Sequence, residues 1–450
     1  MTNSERRISR QRVFRSAPGE SRADWWMFSQ LGRRMGFADA FAYANSAQIF
    51  REHAALSAFE NDGARAFDIG ALAKITDEAY DALEPVQWPV RADGKGTPRL
   101  FTDGHFSHPD GRARFIATPF RPPAEAPDAA RAFMLNTGRV RDQWHTMTRT
   151  GIAPRLASHE PEPLLDMHPQ DAARAKIAEG GFARIESRHG ATLMRVRATQ
   201  DLRPGEVFIA MHWSETNSSV GPADRLVGAA CDPVSGQPEL KATAVMVTRA
   251  PMAWHGLLLE RGARKLRAPD YWCRSAIEGG FAYRIAGASP LAPCGEAPAR
   301  DAIAAWIDGD AADLAVYADA ARGAFRYAHF RDGALAAVLF IARDPGGLPS
   351  REAAGAMFAE ATPLQHRARV LAGAPISSAR DEGPIVCACH VVGRARIIAA
   401  IASGSARDVE AISAATRAGS NCGSCKPEIA AICRQLVAST GAGLLSREGA

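Results

Sequence analysis

Four cysteines near the C-terminus constrain the fold of this chain more than any other feature. Cys387 and Cys389 form a C-x-C pair, and Cys422 and Cys425 form a C-x-x-C pair. Each short spacing brings two sulfur atoms to one side of a metal, as a tetrahedral soft-metal or iron–sulfur site requires. The spacing therefore predicts that this segment folds around a redox cluster or a structural metal.

The residues around the two pairs favour a cluster over zinc. An apolar stripe over 393–402 predicts a helix after the first pair, and Pro427 is typical of a helix start after the second. We expect both helix N-termini to point free N–H groups at an anionic four-thiolate cluster, with Arg394, Arg396 and Lys426 adding positive charge. Structural zinc, a disulfide and a chance pairing are the alternatives.

The segment 384–435 resembles the small [2Fe-2S] domain of bacterioferritin-associated ferredoxin and of the tails of several nitrogen-assimilation reductases. The resemblance rests on both cysteine pairs and on Cys-x-x-Cys-Lys-Pro-Glu-Ile. It implies a two-iron cluster in a helix-turn-helix fold. The ligands that it implies are Cys387, Cys389, Cys422 and Cys425. Cys433, on the following helix, is expected to be a buried structural thiol.

Length and composition bound the remaining possibilities. A chain of 450 residues predicts roughly three domains, and 46% hydrophobic residues are typical of a soluble globular protein. The net charge of +5 argues weakly for an anionic substrate, cofactor or partner. No basic stripe interleaved with aromatic residues occurs, so the sequence does not support nucleic-acid binding.

The sequence predicts no membrane span and no signal peptide. No stretch reaches about 18 uninterrupted apolar residues. The twin Arg6 and Arg7 have no apolar run behind them, because Arg10, Arg12 and Arg15 interrupt it. Free thiols in metal-ligand spacing fit a reducing compartment, so we expect a cytoplasmic protein.

The first 130 residues mix helical patterns with few strands. Helices are predicted over 25–34 and 49–59, and a short strand over Ala113–Thr118. The Pro-rich stretch Arg121–Pro127 reads as a linker. We therefore place a first domain at 1–130.

The next two regions differ in their patterns. Short β runs separated by Gly, Pro and Asp predict a barrel for 131–250, with a short helix after His168. The runs are Phe133–Leu135, Phe182–Ser187, Thr192–Arg197, Val207–Met211 and Ala242–Val247. In 251–380, two strands around the turn Asp332-Gly333, followed by a helix capped by Ser350, predict a small α+β domain with a linker.

The candidate chemistry of the barrel lies in the loop between Leu135 and Gly151. Gly138 would allow a ligand to approach the backbone, and Trp144 and His145 offer stacking faces. Arg139, Arg141 and Arg149 supply donors suited to phosphates, and Asn136 and Gln143 can read amide-like edges of a base or pterin. A second polar cluster spans 211–221, and Lys241 lies beyond it. The alternative is an ordinary solvated loop with a structural tryptophan.

The order and the sequences of these segments resemble those of the C-terminal dinucleotide-binding domain of molybdenum oxidoreductases. The resemblance is strongest to the catalytic subunits of prokaryotic assimilatory nitrate reductases. The matching stretches are 136–149, 212–218 and 232–241, and the similarity extends to 3–7 and to the cysteine-rich tail. It implies a double-psi β-barrel that holds one of two molybdopterin guanine dinucleotides bound to molybdenum. The implied cofactor contacts are Asn136, Thr137, Gly138, Arg139, Gln143, Trp144, His145, Thr146, Asn217 and Lys241. No catalytic residue is assigned to this chain.

The chain also departs from that family. The family has an N-terminal cysteine set for a [4Fe-4S] cluster and a cysteine that ligates molybdenum, but here no cysteine precedes Cys231. Residues 1–130 resemble the tail of the catalytic α/β region, so we expect Met1 to be an internal start. Cys231, Cys273 and Cys294 have no partner spacing and are expected to be structural.

The family resemblance implies a reductase that turns nitrate into nitrite, with electrons delivered to the [2Fe-2S] cluster by a reductase, ferredoxin or flavodoxin. This chain would supply part of the cofactor cradle and the electron-accepting cluster, and would be inactive alone. Two alternatives remain: a related molybdenum oxidoreductase acting on formate or another oxyanion, and a non-enzymatic electron-transfer protein.

Overall fold

The chain divides into two compact units, residues 1–120 and 121–450. The computed structural model describes residues 1–90, 92–266, 269–292, 296–298, 300–307, 313–359, 362–374, 382–404, 406 and 408–445. Cys294 and most of the linker expected before residue 384 lie outside these ranges. The boundary between the units falls at the start of the predicted Pro-rich linker, ten residues before the predicted domain boundary.

The first unit is a small helical assembly with one two-stranded sheet. Its elements are β1 (Arg7–Ile8), α1 (Asp24–Arg34), α2 (Ser46–Ala58), α3 (Asp77–Asp81) and β2 (Val86–Gln87). Asn45 caps α2 by accepting the N–H of Gln48, and Thr76 caps α3 in the same way. A small core forms around Ile8, Ile69 and other apolar side chains.

The predicted strand Ala113–Thr118 is wrong. These residues are irregular, and Phe115 and Ile116 are 98% and 78% exposed. Among the described residues, no strand pairs with this segment, so its backbone N–H and C=O groups have no sheet partners.

The second unit begins with a closed six-stranded barrel, as predicted. Its strands are β3 (Phe133–Gly138), β4 (Leu164–Met167), β5 (Phe182–Glu186), β6 (Ala191–Ala198), β7 (Glu206–Ala210) and β8 (Thr243–Arg249). They close in the order β3-β7-β4-β6-β5-β8, in which β3/β7 and β4/β6 are parallel pairs and the other neighbours are antiparallel. Alternating side chains point into the core, and three of them, Leu135, Leu165 and Ile209, have no solvent exposure. The short helix α4 (Pro169–Arg174) follows its cap, His168.

A six-stranded antiparallel sheet follows the barrel. It consists of β9 (Trp254–Glu260), β10 (Tyr271–Ile277), β11 (Gly280–Gly287), β12 (Leu314–Asp319), β13 (Ala324–Arg331) and β14 (Ala334–Ala342), in the order β10-β11-β9-β14-β13-β12. The helix α5 (Arg300–Trp306) contributes Ile303 to the core on one face, whereas α6 (Arg351–Ala359) and α7 (Arg367–Ala372) contribute to the core on the other. The hairpin at Asp332-Gly333 and the Ser350 cap are confirmed, since the Ser350 hydroxyl accepts the N–H of Ala353 at 3.0 Å.

A buried polar cluster joins the barrel to this sheet. Glu162 accepts hydrogen bonds from Arg195 of β6 at 3.2 Å and from the Tyr271 hydroxyl of β10 at 3.1 Å. Arg284 of β11 lies 3.4 Å from the same carboxylate. The two cations and the hydroxyl hold the pKa of Glu162 low despite its burial.

The C-terminal segment forms a small module around the cysteines. It consists of β15 (Ile385–Cys387), β16 (Val392–Gly393), α8 (Arg394–Ala402), α9 (Val409–Thr416) and α10 (Lys426–Leu445). The helices start where the sequence predicted, and Ile397, Ile412 and Ile429 form its core together with Cys387 and Cys425. Among the described residues, no helix is long and apolar enough to cross a membrane.

Candidate dinucleotide and iron–sulfur sites

The predicted ligand loop leaves the barrel at the end of β3 and is fixed there by a buried histidine. His212 follows β7 and is fully buried. Its Nε2 accepts the N–H of Val140 at 2.9 Å, and its Nδ1 donates to the carbonyl of His145 at 2.6 Å. Burial lowers the pKa of His212 and keeps the ring neutral, as this donor and acceptor pair requires.

The absence of a side chain at Gly138 leaves room for a neighbouring ring. A Cβ at this position would lie 2.8 Å from the ring of Phe208 on the neighbouring strand β7. The Gly138 carbonyl also accepts the N–H of Met211 at 2.8 Å. The glycine therefore lets the start of the loop lie flat against β7.

Several predicted cofactor contacts present exposed groups. Arg139 stacks over the Trp144 ring at 4.6 Å, and His145 packs edge-on against the same ring at 4.5 Å. Trp144 is 59% exposed. Asn136 and Thr146 are exposed as well. This surface combines a cation, flat rings and amide or hydroxyl groups, which suits a phosphate-linked heterocycle.

Three other predicted contacts are tied into the protein. The Thr137 hydroxyl donates to the Leu240 carbonyl at 2.7 Å, and Lys241 Nζ donates to the Thr137 carbonyl. Gln143 is buried, where its amide donates to Leu156 and its oxygen accepts from Thr150. Both ends of the Gln143 amide therefore hold the loop, and its assignment to a base edge stays a prediction.

Gln143, Thr146 and Asn217 meet at one cavity. It has a volume of about 460 Å³ and lies between the loop, the segment after β7, and β10 of the sheet. Arg274 contributes a cation to its wall, and its backbone N–H binds the Asn217 carbonyl at 2.8 Å. The volume is within the range of small-molecule sites.

The four predicted cluster ligands come together as two pairs, each with one cysteine from either motif. Cys389 Sγ lies 3.3 Å from Cys422 Sγ, and Cys387 is the hydrogen-bond partner of Cys425. Cys387 and Cys425 are buried, whereas Cys422 is exposed. Within the described part of the chain, no three His, Cys, Asp or Glu side chains form a site for a single metal ion. Two thiol pairs are what a two-iron cluster needs, since each iron takes two thiolates.

The surroundings of the thiols differ in one respect from the expectation. The first N–H groups of α8, at Arg394 and Ala395, donate to the carbonyls of Pro384 and Glu382 at 2.9 Å. They are therefore engaged by the segment that leads into β15. The helix α10 begins at Lys426 directly after Cys425, and its first N–H donates to the Gly423 carbonyl at 3.0 Å.

Arg141 also differs from the expectation that it binds phosphate. Its guanidinium pairs with Asp142 at 2.9 Å, with Glu428 of α10 at 3.0 Å, and donates to the Val386 carbonyl at 2.7 Å. His159 completes this group, because its ring nitrogens lie 3.1 Å from Asp142 and Glu428. We call these four residues the Arg141 network.

The Arg141 network holds His159 as a cation. Burial alone would lower the pKa of His159, but the two carboxylates outweigh it and raise the pKa to about 9. Burial alone would raise the pKa values of the Asp142 and Glu428 carboxyl groups, but the cations His159 and Arg141 outweigh it and lower both. His159, Asp142 and Glu428 were not singled out from the sequence, because no local spacing links residue 428 to the barrel loop.

Comparison with known proteins gives both sites a family. Residues 133–244 match the family described as "Molydopterin dinucleotide binding domain", and residues 385–435 match the "BFD-like [2Fe-2S] binding domain". The chain carries a molybdopterin dinucleotide-binding domain and a BFD-like [2Fe-2S] domain. The cofactors of this chain are accordingly a molybdopterin dinucleotide and a [2Fe-2S] cluster. The paired thiols and the exposed cation and ring surface described above fit these two groups.

Three relatives are instructive. The chain is 38% identical to "Nitrate reductase" of Klebsiella oxytoca over 437 residues, which is 96% of this chain and 48% of that protein. It is 31% identical to "Assimilatory nitrate reductase catalytic subunit" of Bacillus subtilis over 55% of this chain and 33% of that protein. "F420-dependent formate dehydrogenase subunit alpha" of Methanocaldococcus jannaschii is 29% identical over 55% of this chain and 34% of that protein. The chain thus spans about half, or less, of the length of these relatives.

Proposed function

We propose that this chain is part of a molybdenum-dependent nitrate reductase of nitrogen assimilation. One observation carries the proposal: the dinucleotide domain and the cluster module lie in one compact unit and are joined by the Arg141 network. The similarity to a nitrate reductase over 96% of the chain supports the choice of substrate. In this role the chain supplies one wall of the dinucleotide site and the cluster that receives electrons.

We also propose finer descriptions of the two folds. The parallel pairs β3/β7 and β4/β6 within an otherwise antiparallel closed barrel support a double-psi arrangement. The helices α8 and α9, joined by a short turn in front of α10, support a helix-turn-helix for the module.

In the dinucleotide site, the residues that hold the loop and those that face the ligand have separate roles. Arg139 and Asn136 are placed to bind the phosphates and polar edges, and Trp144 provides a stacking face. His212 and Gln143 hold the loop in the conformation that presents them. When bound, the molybdenum cofactor supplies the two-electron oxygen-atom chemistry that converts nitrate to nitrite.

The exposed edge of the cluster site is where an electron donor would approach. Cys422 is exposed in the loop that precedes α10, and Lys426 lines the same surface. A donor reductase, ferredoxin or flavodoxin could therefore reach the outer thiol pair, Cys389 and Cys422, without moving the barrel. The proposed location is the cytoplasm.

A formate-oxidising enzyme is the second candidate, because a formate dehydrogenase subunit is 29% identical over 55% of the chain. That relative matches a smaller share of the chain than the nitrate reductase of Klebsiella oxytoca does, which favours nitrate.

A chimera tests the proposal. The region of the Klebsiella oxytoca nitrate reductase that aligns with this chain would be replaced by residues 1–450, and nitrite and carbon dioxide formation measured. We expect nitrite from nitrate, and none from the same chimera carrying Cys422→Ser when a physiological one-electron carrier is the donor. Oxidation of formate without reduction of nitrate would contradict the proposal.

A further inference from the structure

The Arg141 network connects the dinucleotide loop to both segments that carry the cluster ligands. Arg141 donates to the carbonyl of Val386, which belongs to the peptide bond leading into Cys387. It also pairs with Glu428, three residues after Cys425 on α10. One guanidinium from the barrel domain thus holds together the two segments that carry the inner thiol pair, Cys387 and Cys425.

The charge of Arg141 is well placed to act on the cluster. Its side chain is only 19% exposed, so solvent screens it weakly. The loop that carries Arg141 is held by the hydrogen bonds of the His212 ring to the Val140 N–H and the His145 carbonyl. Glu428, 33% exposed, brings an opposing negative charge to the same place.

We propose that Arg141 is a positioning residue of the [2Fe-2S] centre that sets its reduction potential from the barrel domain, with Glu428 opposing it. The inference rests on the cluster assignment and goes beyond the proposed reductase function. Reduction adds one negative charge to the cluster, so a nearby cation stabilises the reduced state and a nearby carboxylate destabilises it. The same loop presents Arg139 and Trp144. Arg141 therefore adjusts the reduction potential of the cluster from a position between two proposed dinucleotide contacts.

Potentiometric titration of the anaerobically purified full chain tests this proposal, with the electron supplied by an electrode through mediators. Arg141→Ala should lower the midpoint potential, with an expected change of about tenfold in the reduction equilibrium, or about 59 mV for one electron. Arg141→Lys keeps the charge and should shift the potential less. Arg184→Ala is the matched control, because it removes one arginine of the barrel whose salt-bridge partner, Glu186, lies in the same strand.

Glu428→Gln separates an electrostatic role from simple docking. It removes the opposing charge and should raise the potential, whereas loosening the contact between module and barrel would move both variants in the same direction. It also keeps the test valid if Arg141→Ala does not retain its cluster. An unchanged potential in Arg141→Ala with a full cluster, or equal-sign shifts in both variants, would overturn the inference and leave the nitrate assignment untouched. Failure of the chimera to form nitrite would contradict the nitrate assignment and leave the role of Arg141 untouched.

Discussion

Exposure divides the four cluster thiols into an inner and an outer pair. Cys387 and Cys425 are each 2% exposed and pack in the module core, whereas Cys422 lies in an exposed loop. Ligand loss at the outer pair should therefore release iron without unfolding the core.

Cys422→Ser should remove most of the bound iron, because a serine hydroxyl is a poor substitute for the fourth thiolate. Iron per chain after anaerobic purification is the measurement. Cys231→Ser is the control, since Cys231 is also exposed but lies in the loop before β8. Equal iron in the two variants would refute the ligand set.

His212 is a residue whose importance only the structure reveals. His212→Ala should destabilise the barrel by about 1–3 kcal/mol, because it leaves the Val140 N–H and the His145 carbonyl without their buried partner. The urea midpoint of the full chain measures this loss. His189→Ala removes a partly exposed pair with Glu125 and should lower the free energy of unfolding by less than about 1 kcal/mol, with a correspondingly small change in the midpoint. A His212→Ala midpoint equal to that of His189→Ala would contradict the role of His212 as the support of the loop.

At the scale of elements, the Arg141 network makes the contact between barrel and module depend on pH. His159 has a folded pKa of about 9 against an ordinary 6.5, so its contribution to stability is complete below pH 6.5 and is lost as the pH rises through 9. The carboxyl groups of Asp142 and Glu428 have lowered pKa values, so their contribution is lost at acid pH instead. The contact should be strongest between about pH 5 and pH 6.5.

His159→Gln should therefore destabilise the chain on the order of 3 kcal/mol at pH 6, and much less at pH 10, where the histidine is neutral in the unaltered protein. The difference in urea midpoint between the two proteins at both pH values is the measurement. A difference that stays constant from pH 6 to pH 10 would show that the histidine is not charged in the fold.

Elements with local signatures were predicted well, and elements that depend on distant partners were not. The barrel strands around Phe182 and Thr192 and the hairpin at Asp332-Gly333 follow from alternation and turn residues. The four-residue strand β4 was missed because it is short and follows Pro161 and Pro163, although Leu165 and Met167 alternate inward. Ala113–Thr118 has the apolar composition of a strand but no partner.

The candidate sites show the same division. The cysteine pairs and the loop motif are contiguous in sequence, so both could be singled out as candidate sites without the structure. Arg141 was assigned to phosphate because its pairing with Glu428 spans 287 positions along the chain. Gly138 was predicted to let a ligand approach the backbone. The structure adds that a Cβ at Gly138 would meet the ring of Phe208, which a sequence alone does not place.

At the scale of the whole molecule, the second unit joins a dinucleotide-binding barrel, a sheet with helices on both faces, and a cluster module. Charged groups connect these parts: the buried Glu162 lies between barrel and sheet, and the partly buried Arg141 between barrel and module. Removing one partner from such a buried group is costly, so the parts should keep their relative positions while electrons pass.

We propose that this chain accepts single electrons at a [2Fe-2S] centre on behalf of a molybdenum site. The most direct measurement is reductive titration of the anaerobically purified chain with dithionite, with iron and acid-labile sulfide determined on the same sample. We predict a brown protein with about two irons and two sulfides per chain. Its visible bands should bleach on uptake of one electron, and nitrate should not restore them at a catalytic rate. A colourless protein with stoichiometric zinc, or steady nitrite production by the 450-residue chain alone, would contradict the account.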